Sequence, residues 1–283
     1  MINGFILSGI ADEGGDTLEQ QIAIHKKIGF DYIEMRNVNR VTVDTTPMDT
    51  FKSYCKTLDE SGIKISALAS DVGKLSLAGS QFKPFDEDVR SLEGLLEKAL
   101  YAGVSYIRVM GYKGDGLSRE AWHKESVERL KVLSGMAQKA GVYLALENCV
   151  GPHAGSGADM AKYLDDVGSE HLVCLYDTGN PVSGHEADTW EFYTALRGRI
   201  KYLHIKDASG SGETFTYPGE GGAMIVRILE DLYKSGYNGF CSIEPHMSAS
   251  AHRPDTKYIV DTPENTYYKY GCMLKEIVQS LNS

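Results

Sequence analysis

Cysteine is scarce in this sequence, and its spacing does not suggest paired thiols. The 283 residues include five cysteines, an odd number, and none of them forms a C-x-x-C pair. This pattern argues against a disulfide framework and against a closed structural zinc site. We therefore expect the cysteines to be small buried side chains in a protein of a reducing compartment.

Long apolar runs and targeting signals are also missing. No stretch of about 18 consecutive apolar residues occurs, which argues against a membrane-spanning helix. The first residues, MINGFILSGIADEGG, lack the basic start and the long apolar segment of a signal peptide. We expect a cytoplasmic protein without a membrane partner.

Positive charge is in deficit. Lysine and arginine number 29 against 39 aspartates and glutamates, which leaves a net charge of −10. Such a surface repels polyanions on average, so we expect no nucleic-acid partner.

Short β-rich runs alternate with amphipathic stretches along the whole chain. This alternation is typical of βα units on a parallel sheet. Eight units in the chain correspond to ~35 residues each, which predicts a single (β/α)8 TIM barrel. The predicted strands are residues 4–10, 32–36, 64–70, 106–111, 142–148, 172–177, 200–206 and 239–244.

The competing architecture is an open, doubly wound sheet, but no G-x-G-x-x-G follows the first strand. The helical patterns end in glycines such as Gly29 and Gly103, which are typical C-terminal stops. No Pro/Ser-rich linker divides the chain, so we predict one domain over residues 1–283.

Two connections are unusually long. Residues 208–222 follow the seventh predicted strand and residues 246–263 follow the eighth. Long loops in compact domains are often lids or binding loops, although either could be a plain connector.

Ionisable side chains occur at the ends of four successive predicted strands: Glu147, Asp177, His204 and Glu244. Their separations of 30, 27 and 40 residues are about one repeat each, so they should lie at similar heights on neighbouring strands. Because the loops of a barrel converge at the carboxyl ends of its strands, we expect these four side chains to meet there.

Three carboxylates in one pocket repel each other and need protons or a cation. Singly, each residue could be a helix cap, a surface charge or a hydrogen-bonded core group. Four in consecutive repeats favour one divalent metal ion. Oxygen and nitrogen ligands without thiolate suit Mn²⁺, our first choice, and also Mg²⁺, Co²⁺ or Zn²⁺.

The segments LALEN, LYDTGNP, YLHIKD, PGEGG and SIEPH, in this order, resemble the xylose isomerase-like barrels, in particular the sugar phosphate isomerase/epimerase family. Members include ketose 3-epimerases, inosose isomerases and dehydratases, and endonuclease IV-like enzymes. The resemblance implies that Glu147, Asp177, His204 and Glu244 bind one metal ion and that Glu147 and Glu244 also move the proton. Many members form dimers, so a homodimer is possible.

Other polar residues are candidate substrate contacts. Lys206 would face the substrate or form a rim ion pair with Asp207, and Asn180 would bind substrate or cap a turn. Arg108 could anchor a carboxylate or phosphate, or pair within the barrel. His246 and Glu34 complete the predicted substrate-binding set. His153 and His252 lie in predicted loops, where we expect exposure.

The expected reaction is isomerisation or epimerisation of a small sugar or sugar derivative, by proton abstraction to a metal-stabilised enediolate. An inosose-dehydratase-type lyase is the alternative, with Lys206 or His246 protonating the leaving hydroxyl. A third possibility is a metabolite-binding barrel without catalysis. Endonuclease activity is disfavoured by the acidic charge.

Overall fold

Eight parallel strands form the centre of the molecule in the computed structural model, which describes residues 1–184, 188–209, 214–247 and 261–281. Each strand lies within a segment that the sequence predicts. The strands are β1 (Ile6–Gly9), β2 (Tyr32–Met35), β3 (Lys64–Ala69), β4 (Tyr106–Val109), β5 (Tyr143–Glu147), β6 (Leu172–Asp177), β7 (Ile200–Ile205) and β8 (Phe240–Ile243).

Hydrogen-bonded neighbours follow the order β1, β8, β7, β6, β5, β4, β3, β2. Between β1 and β2, the described residues form a single parallel bridge from Ile10 to Glu34, which closes the barrel. The ladder between β2 and β3 shifts register between Ile33 and Glu34, where Ser66 is the additional residue of β3. The hydroxyl oxygen of Ser66 lies 3.0 Å from the carbonyl oxygen of Ile33. The fold is therefore a single (β/α)8 barrel, as predicted.

Helices surround the barrel. They are α1 (Leu18–Ile28), α2 (Met48–Ser61), α3 (Phe85–Ala102), α4 (Arg119–Ala140), α5 (Gly157–Val167), α6 (Asn180–Gly184), α7 (Thr189–Leu196), α8 (Ile225–Lys234) and α9 (Pro263–Ser280). Helices α1 to α5 each end at a glycine in the left-handed conformation. This agrees with the predicted glycine stops.

Two apolar layers hold the fold together. The larger core lies between strands and helices and includes α-helical residues such as Leu95, Leu130 and Leu274. A small cluster fills the barrel interior, where Ala67, Ala145, Leu175 and Tyr202 pack against one another. This interior cluster forms the floor beneath the carboxyl ends of the strands.

Short elements extend the carboxyl rim. A hairpin of Asn37–Val38 and Val41–Thr42 follows β2, and a second of Asp207–Ala208 and Phe215–Thr216 follows β7. Of the two long predicted loops, residues 210–213 and 248–260 lie outside the described residues, as does His252.

Three further expectations, on the cysteines, on membrane-spanning helices and on His153, can be compared with the structure. All five cysteines are free. Within the described ranges, no helix combines the length and apolar character that crossing a membrane requires. The expectation that His153 is exposed is wrong: it is 1% exposed, because its ring packs parallel to Trp122 and against Tyr163.

Candidate metal centre

The four side chains predicted to bind a metal meet at the carboxyl rim of the barrel. One ligand atom from each of Glu147, Asp177, His204 and Glu244 lies within 4.8 Å of the other three, and all four residues are buried. Asp177 and His204 are register partners on β6 and β7, while the backbone N–H of Glu244 donates to Ile205 at 3.0 Å. Adjacent strand ends thus bring the donors together.

His204 is oriented by Glu34 from below. His204 Nε2 lies 3.0 Å and 3.1 Å from the two carboxylate oxygens of Glu34. When the ring is neutral, its proton lies on Nε2 because the carboxylate accepts it there. The lone pair of Nδ1 then faces Glu244 Oε2 at 3.4 Å and Glu147 Oε1 at 3.8 Å.

A hydroxyl chain supports Glu34. Tyr202 donates its phenol proton to Glu34 Oε2 at 2.9 Å. The hydroxyl of Ser66 lies 3.0 Å from that of Tyr202 and 2.7 Å from that of Ser8. These hydroxyl groups connect the floor of the barrel to the carboxylate of Glu34. Side chains of the barrel interior therefore hold Glu34 in place, and Glu34 in turn holds His204.

The turn after β6 fixes Asp177. Its Oδ1 accepts hydrogen bonds at 2.8 Å from the backbone N–H groups of Gly179 and Asn180. The amide of Asn148 bonds the backbone of Asp177 on both sides, donating at 3.1 Å and accepting at 2.7 Å. Asp177 Oδ2 is thereby left to face the cluster.

Glu147 is held by an amide and a guanidinium. Asn180 Nδ2 donates to Glu147 Oε1 at 3.2 Å, and Arg108 Nη1 lies 3.5 Å from Glu147 Oε2. The side chain of Asn180 therefore contacts a predicted metal ligand, whereas the turn after β6 is capped by the carboxylate of Asp177 and not by Asn180.

Glu244 contacts more cations than the other three candidate ligands. Lys206 Nζ donates to its Oε2 at 3.2 Å, and Arg36 Nη1 donates to its Oε1 at 3.2 Å. Arg36 also donates from Nε to Asp12 at 3.1 Å and from Nη2 to Glu13 at 3.3 Å. The guanidinium of Arg36 is thus surrounded by three carboxylates.

Lys206 faces the centre and not Asp207. Its ammonium lies 2.8 Å from Asp177 Oδ2, so the expected alternative of a rim ion pair with Asp207 is wrong. The physical reason is that backbone N–H groups occupy both oxygens of Asp207. They belong to Ala208, Gly219, Gly221 and Ala223, at 2.9 to 3.0 Å.

A second acidic group flanks the centre. Glu13 accepts from the backbone N–H of His246 at 2.7 Å and contacts His246 Nδ1 at 2.8 Å. These contacts hold His246 in the left-handed region at a φ of 52°. His246 Nε2 lies 3.9 Å from Glu244 Oε1, so His246 stands beside the centre as expected.

Burial and charge set the protonation of the centre. Burial raises the pKa of Glu147, but His204 and Arg108 outweigh burial and lower this pKa to about 2. Burial raises the pKa of Asp177 to about 6, although Lys206 opposes the rise. Burial lowers the pKa of His204, but Glu34, Glu147 and Glu244 raise it well above 6.5.

The donor set fits a divalent ion. Donors about 2.1 Å from one ion lie at most about 4.2 Å apart, so the observed spread needs only a small contraction. The Nδ1 atom of His204 is buried and makes no hydrogen bond of good geometry to any residue that the structure describes. The fixed histidine and three carboxylates therefore offer one nitrogen and several oxygens to a common point.

A cavity of about 320 Å³ opens above the centre. It is lined on one side by Glu147, Asn180, Lys206, Glu244 and His246. Arg36 and Arg108 form part of its wall. Glu34 does not line it and is fully buried beneath His204. The cavity is large enough for a small sugar or polyol.

The sequence did not single out Arg36, Asp12 and Glu13. Arg36 ends the second predicted strand, and Asp12 and Glu13 follow the first. The strand-end criterion that found Glu147 applies equally to all three. Tyr202 carried no such signal, because an aromatic residue inside a strand is ordinarily core.

The fold and the buried donor cluster define a barrel with a candidate metal centre at its carboxyl rim. Residues 22–269 match the family model described as xylose isomerase-like TIM barrel. The chain belongs to this family.

Curated relatives are sugar and polyol enzymes at low identity. The chain is 26% identical over 248 residues to L-ribulose-5-phosphate 3-epimerase UlaE of Escherichia coli, covering 81% of this chain and 82% of that protein. It is 23% identical over 271 residues to inosose dehydratase of Bacillus thuringiensis, covering 89% and 83%. The match to fructoselysine 3-epimerase of Escherichia coli O157:H7 is 28% identical over 121 residues and spans 41% of this chain and 43% of that protein.

Solved structures share the fold. A D-tagatose 3-epimerase-like protein superposes with a TM-score of 0.74 at 19% identity, covering 98% of each chain. The IOLI protein, crystallised with a zinc atom, superposes with a TM-score of 0.72 at 20% identity, also covering 98% of each chain. A Mycobacterium smegmatis barrel in complex with magnesium has a TM-score of 0.72 at 16% identity, covering 99% of this chain and 97% of that one.

Proposed function

We propose that this protein is a divalent-metal-dependent isomerase or epimerase of a small sugar or sugar derivative. The observation that carries the proposal is the meeting of Glu147, Asp177, His204 and Glu244 at one point, with a fixed histidine nitrogen directed at the carboxylates. Mn²⁺ is the preferred ion, and Mg²⁺, Co²⁺ and Zn²⁺ are the alternatives.

The ion would supply Lewis acidity toward the carbonyl and a neighbouring hydroxyl of the substrate. Glu244 and Glu147 are the proposed proton carriers. Glu147 is the last residue of β5 and Glu244 directly follows β8, so the two would approach a substrate above the centre from different strands of the barrel. One glutamate, as the carboxylate, removes the proton next to the carbonyl. The other enters the step as the carboxylic acid and gives its proton to the opposite face, which inverts that carbon, and proton exchange with solvent then resets both groups. Return to the adjacent carbon by the same glutamate gives isomerisation.

Lys206, Asn180, Arg108 and His246 are the proposed substrate contacts, because all four line the cavity. Glu34 was also expected to touch substrate. We instead assign it a positioning role, since its oxygens contact His204 and Tyr202 beneath the centre.

A lyase of the inosose dehydratase type is the second candidate. Two observations favour it: the match to an inosose dehydratase covers 89% of the chain, and His246 lies 3.9 Å from Glu244. His246 or Lys206 would protonate the leaving hydroxyl after Glu147 or Glu244 removes the neighbouring proton.

The test combines metal analysis with hydrogen exchange. Elemental analysis of purified protein should find about one divalent ion per chain. Incubation with ketoses and inososes in D₂O should place deuterium next to the carbonyl, and Glu244→Gln should abolish both exchange and turnover. Ultraviolet absorbance from an enone product would favour the lyase. Ligand binding without exchange would favour the metabolite-binding barrel and refute catalysis.

Two wider expectations accompany the proposal. The free cysteines suit a cytoplasmic enzyme. The possible homodimer can be checked by size-exclusion chromatography with light scattering, which measures the molar mass of the protein as it elutes.

A further inference from the structure

The cavity above the metal centre has a polar end that lies away from the four ligands. Its lining residues there follow β2 and β3, and we call them the outer wall: Asn37, Thr42, Asp44, Asp71 and Lys74. Side chains that line the end of a cavity opposite the reacting centre contact the part of the substrate that does not react. The chemistry of the outer wall therefore bears on which substrates fit.

Asp44 is fixed from several directions. Its carboxylate accepts from the backbone N–H of Asp71 at 3.1 Å and from the hydroxyl of Ser91 at 3.1 Å. The buried ammonium of Lys98 on α3 donates to the backbone carbonyls of Val43 at 2.7 Å and Asp44 at 3.3 Å. These contacts give the outer wall a rigid carboxylate.

Asp71 is the second carboxylate of the outer wall. Lys74 Nζ donates to both of its oxygens, at 3.0 Å and 3.1 Å, and Arg108 Nη2 lies 4.0 Å away. An Asp–Lys pair can accept from one hydroxyl and donate to its neighbour, as vicinal hydroxyls require. The pair suits the end of a polyol chain.

A phosphate would find little free positive charge in the cavity. The lining cations are Arg36, Lys74, Arg108, Lys113 and Lys206. Carboxylates lie within 3.5 Å of four of them. Among the described residues, Lys113 is the one lining cation without a carboxylate partner, and its ammonium donates to the side-chain amide of Gln81 at 2.9 Å.

Arg108 supplies an independent sign of a ligand. It lines the cavity and is 3% exposed, yet its Nε has no hydrogen-bond partner within the described residues. Its hydrogen bond to the carbonyl of Ser70 is 3.2 Å long, and its carboxylate neighbours are 3.5 Å or more away. An incompletely bonded buried guanidinium is prepared for another acceptor, such as a substrate oxygen.

We propose that the outer wall recognises the uncharged, hydroxyl-bearing end of the substrate and discriminates against a phosphorylated end. Asp44 and Asp71 would repel a phosphate, whereas hydroxyls would bond to Asp71, Lys74 and the guanidinium of Arg108. The inference rests on the proposed function for the identity of the reacting end, and it narrows the substrate class to non-phosphorylated sugars and polyols.

The test measures binding, so it does not require turnover. Calorimetric titration of the protein in the presence of Mn²⁺ compares sorbitol with sorbitol 6-phosphate. Sorbitol should bind about tenfold more tightly, because the phosphate meets two carboxylates. Asp71→Asn, which keeps the shape and removes the charge, should reduce this preference severalfold by improving binding of sorbitol 6-phosphate.

Asp49→Asn is the matched control, since the side chain of Asp49 on α2 is fully exposed, and it should leave the preference unchanged. Equal or tighter binding of sorbitol 6-phosphate overturns the inference, as does an unchanged preference in Asp71→Asn or a failure of both compounds to bind. A retained preference without deuterium exchange of any ketose or inosose supports the outer wall and refutes the proposed catalysis. The two failures are therefore distinguishable.

Discussion

Glu34 and His204 are 170 residues apart in the chain, and His204 Nε2 lies 3.0 Å from Glu34 Oε1 inside the barrel. A carboxylate that accepts from one ring nitrogen fixes which nitrogen is presented to an ion. The contact therefore links the second strand of the barrel to the candidate metal ligand on the seventh.

Glu34→Gln tests this link. The amide cannot accept from Nε2 with a full negative charge, so His204 should be a weaker and less ordered ligand. We expect the affinity for Mn²⁺ to fall about 10- to 100-fold, measured by calorimetric titration. Glu93→Gln, on the exposed face of α3, is the control and should bind normally. Wild-type affinity in Glu34→Gln would show that the contact has no role in metal binding.

Metal affinity should rise with pH. In the ion-free protein the pKa of His204 lies well above 6.5, so the ring carries a second proton at neutral pH. An ion can bind Nδ1 only after this proton leaves, so affinity should increase about tenfold per pH unit below that pKa. The pKa of Asp177, about 6, steepens the dependence at lower pH.

Titrations from about pH 6 to pH 8 in buffers of different ionisation enthalpy would measure both affinity and proton release. Glu34→Gln should weaken the dependence, because it removes the foremost charge that raises the pKa of His204. An affinity that is constant across this range would contradict the protonation derived from the structure.

Lys206→Met should make the fold depend on metal. Without the ammonium, Asp177 loses the cation 2.8 Å from its carboxylate, and Glu244 loses the one at 3.2 Å while it keeps Arg36. Breaking a buried ion pair costs about 3–5 kcal/mol, which for a chain of this size lowers the melting temperature by roughly 10 °C. Thermal melts with and without Mn²⁺ should show that the ion recovers more stability in the variant than in the wild type.

The exposed pair of Lys131 and Glu128 provides the control. Lys131→Met should change the free energy of unfolding by less than about 1 kcal/mol. Equal stability losses in the two lysine variants would argue against a structural role for Lys206 in the centre.

Gly221→Ala tests the loop that Asp207 holds. A Cβ at Gly221 would lie 2.3 Å from both the carbonyl of Ala208 and Asp207 Oδ1, so the backbone would have to move away. We expect a loss of about 1–3 kcal/mol in denaturant melts. For Gly135→Ala in α4, the added Cβ has no atom of the described residues within 4 Å apart from its own helix, and the change should instead stabilise the protein slightly. A stable Gly221→Ala variant would show that the loop is not held by Asp207.

Much of the fold follows from local pattern. The eight strands lie within their predicted segments because β-rich runs and glycine stops are local signals. The meeting of Glu147, Asp177, His204 and Glu244 could also be predicted, since repeat spacing converts into position on a barrel.

The contacts around the four candidate ligands are harder to predict from the sequence. The expected alternative of an ion pair between Lys206 and Asp207 is wrong, since the ammonium contacts Asp177. The partner of a long flexible side chain depends on neighbouring loops, which the sequence pattern does not place. His153 was expected on the surface, yet the loop that carries it folds over Trp122. Such choices depend on long-range packing, which periodicity does not encode.

The closure of the barrel has a mechanical consequence. Within the described residues, β1 and β2 are joined by a single bridge, between Ile10 and Glu34. The side chain of Glu34 also contacts the imidazole of His204 and fixes its orientation. Local opening of the bridge between β1 and β2 would shift Glu34 and tilt the imidazole of His204 before the other strand pairs of the barrel separate. On warming, a divalent ion bound at the candidate metal centre should therefore be released at a lower temperature than the one at which the helices unfold.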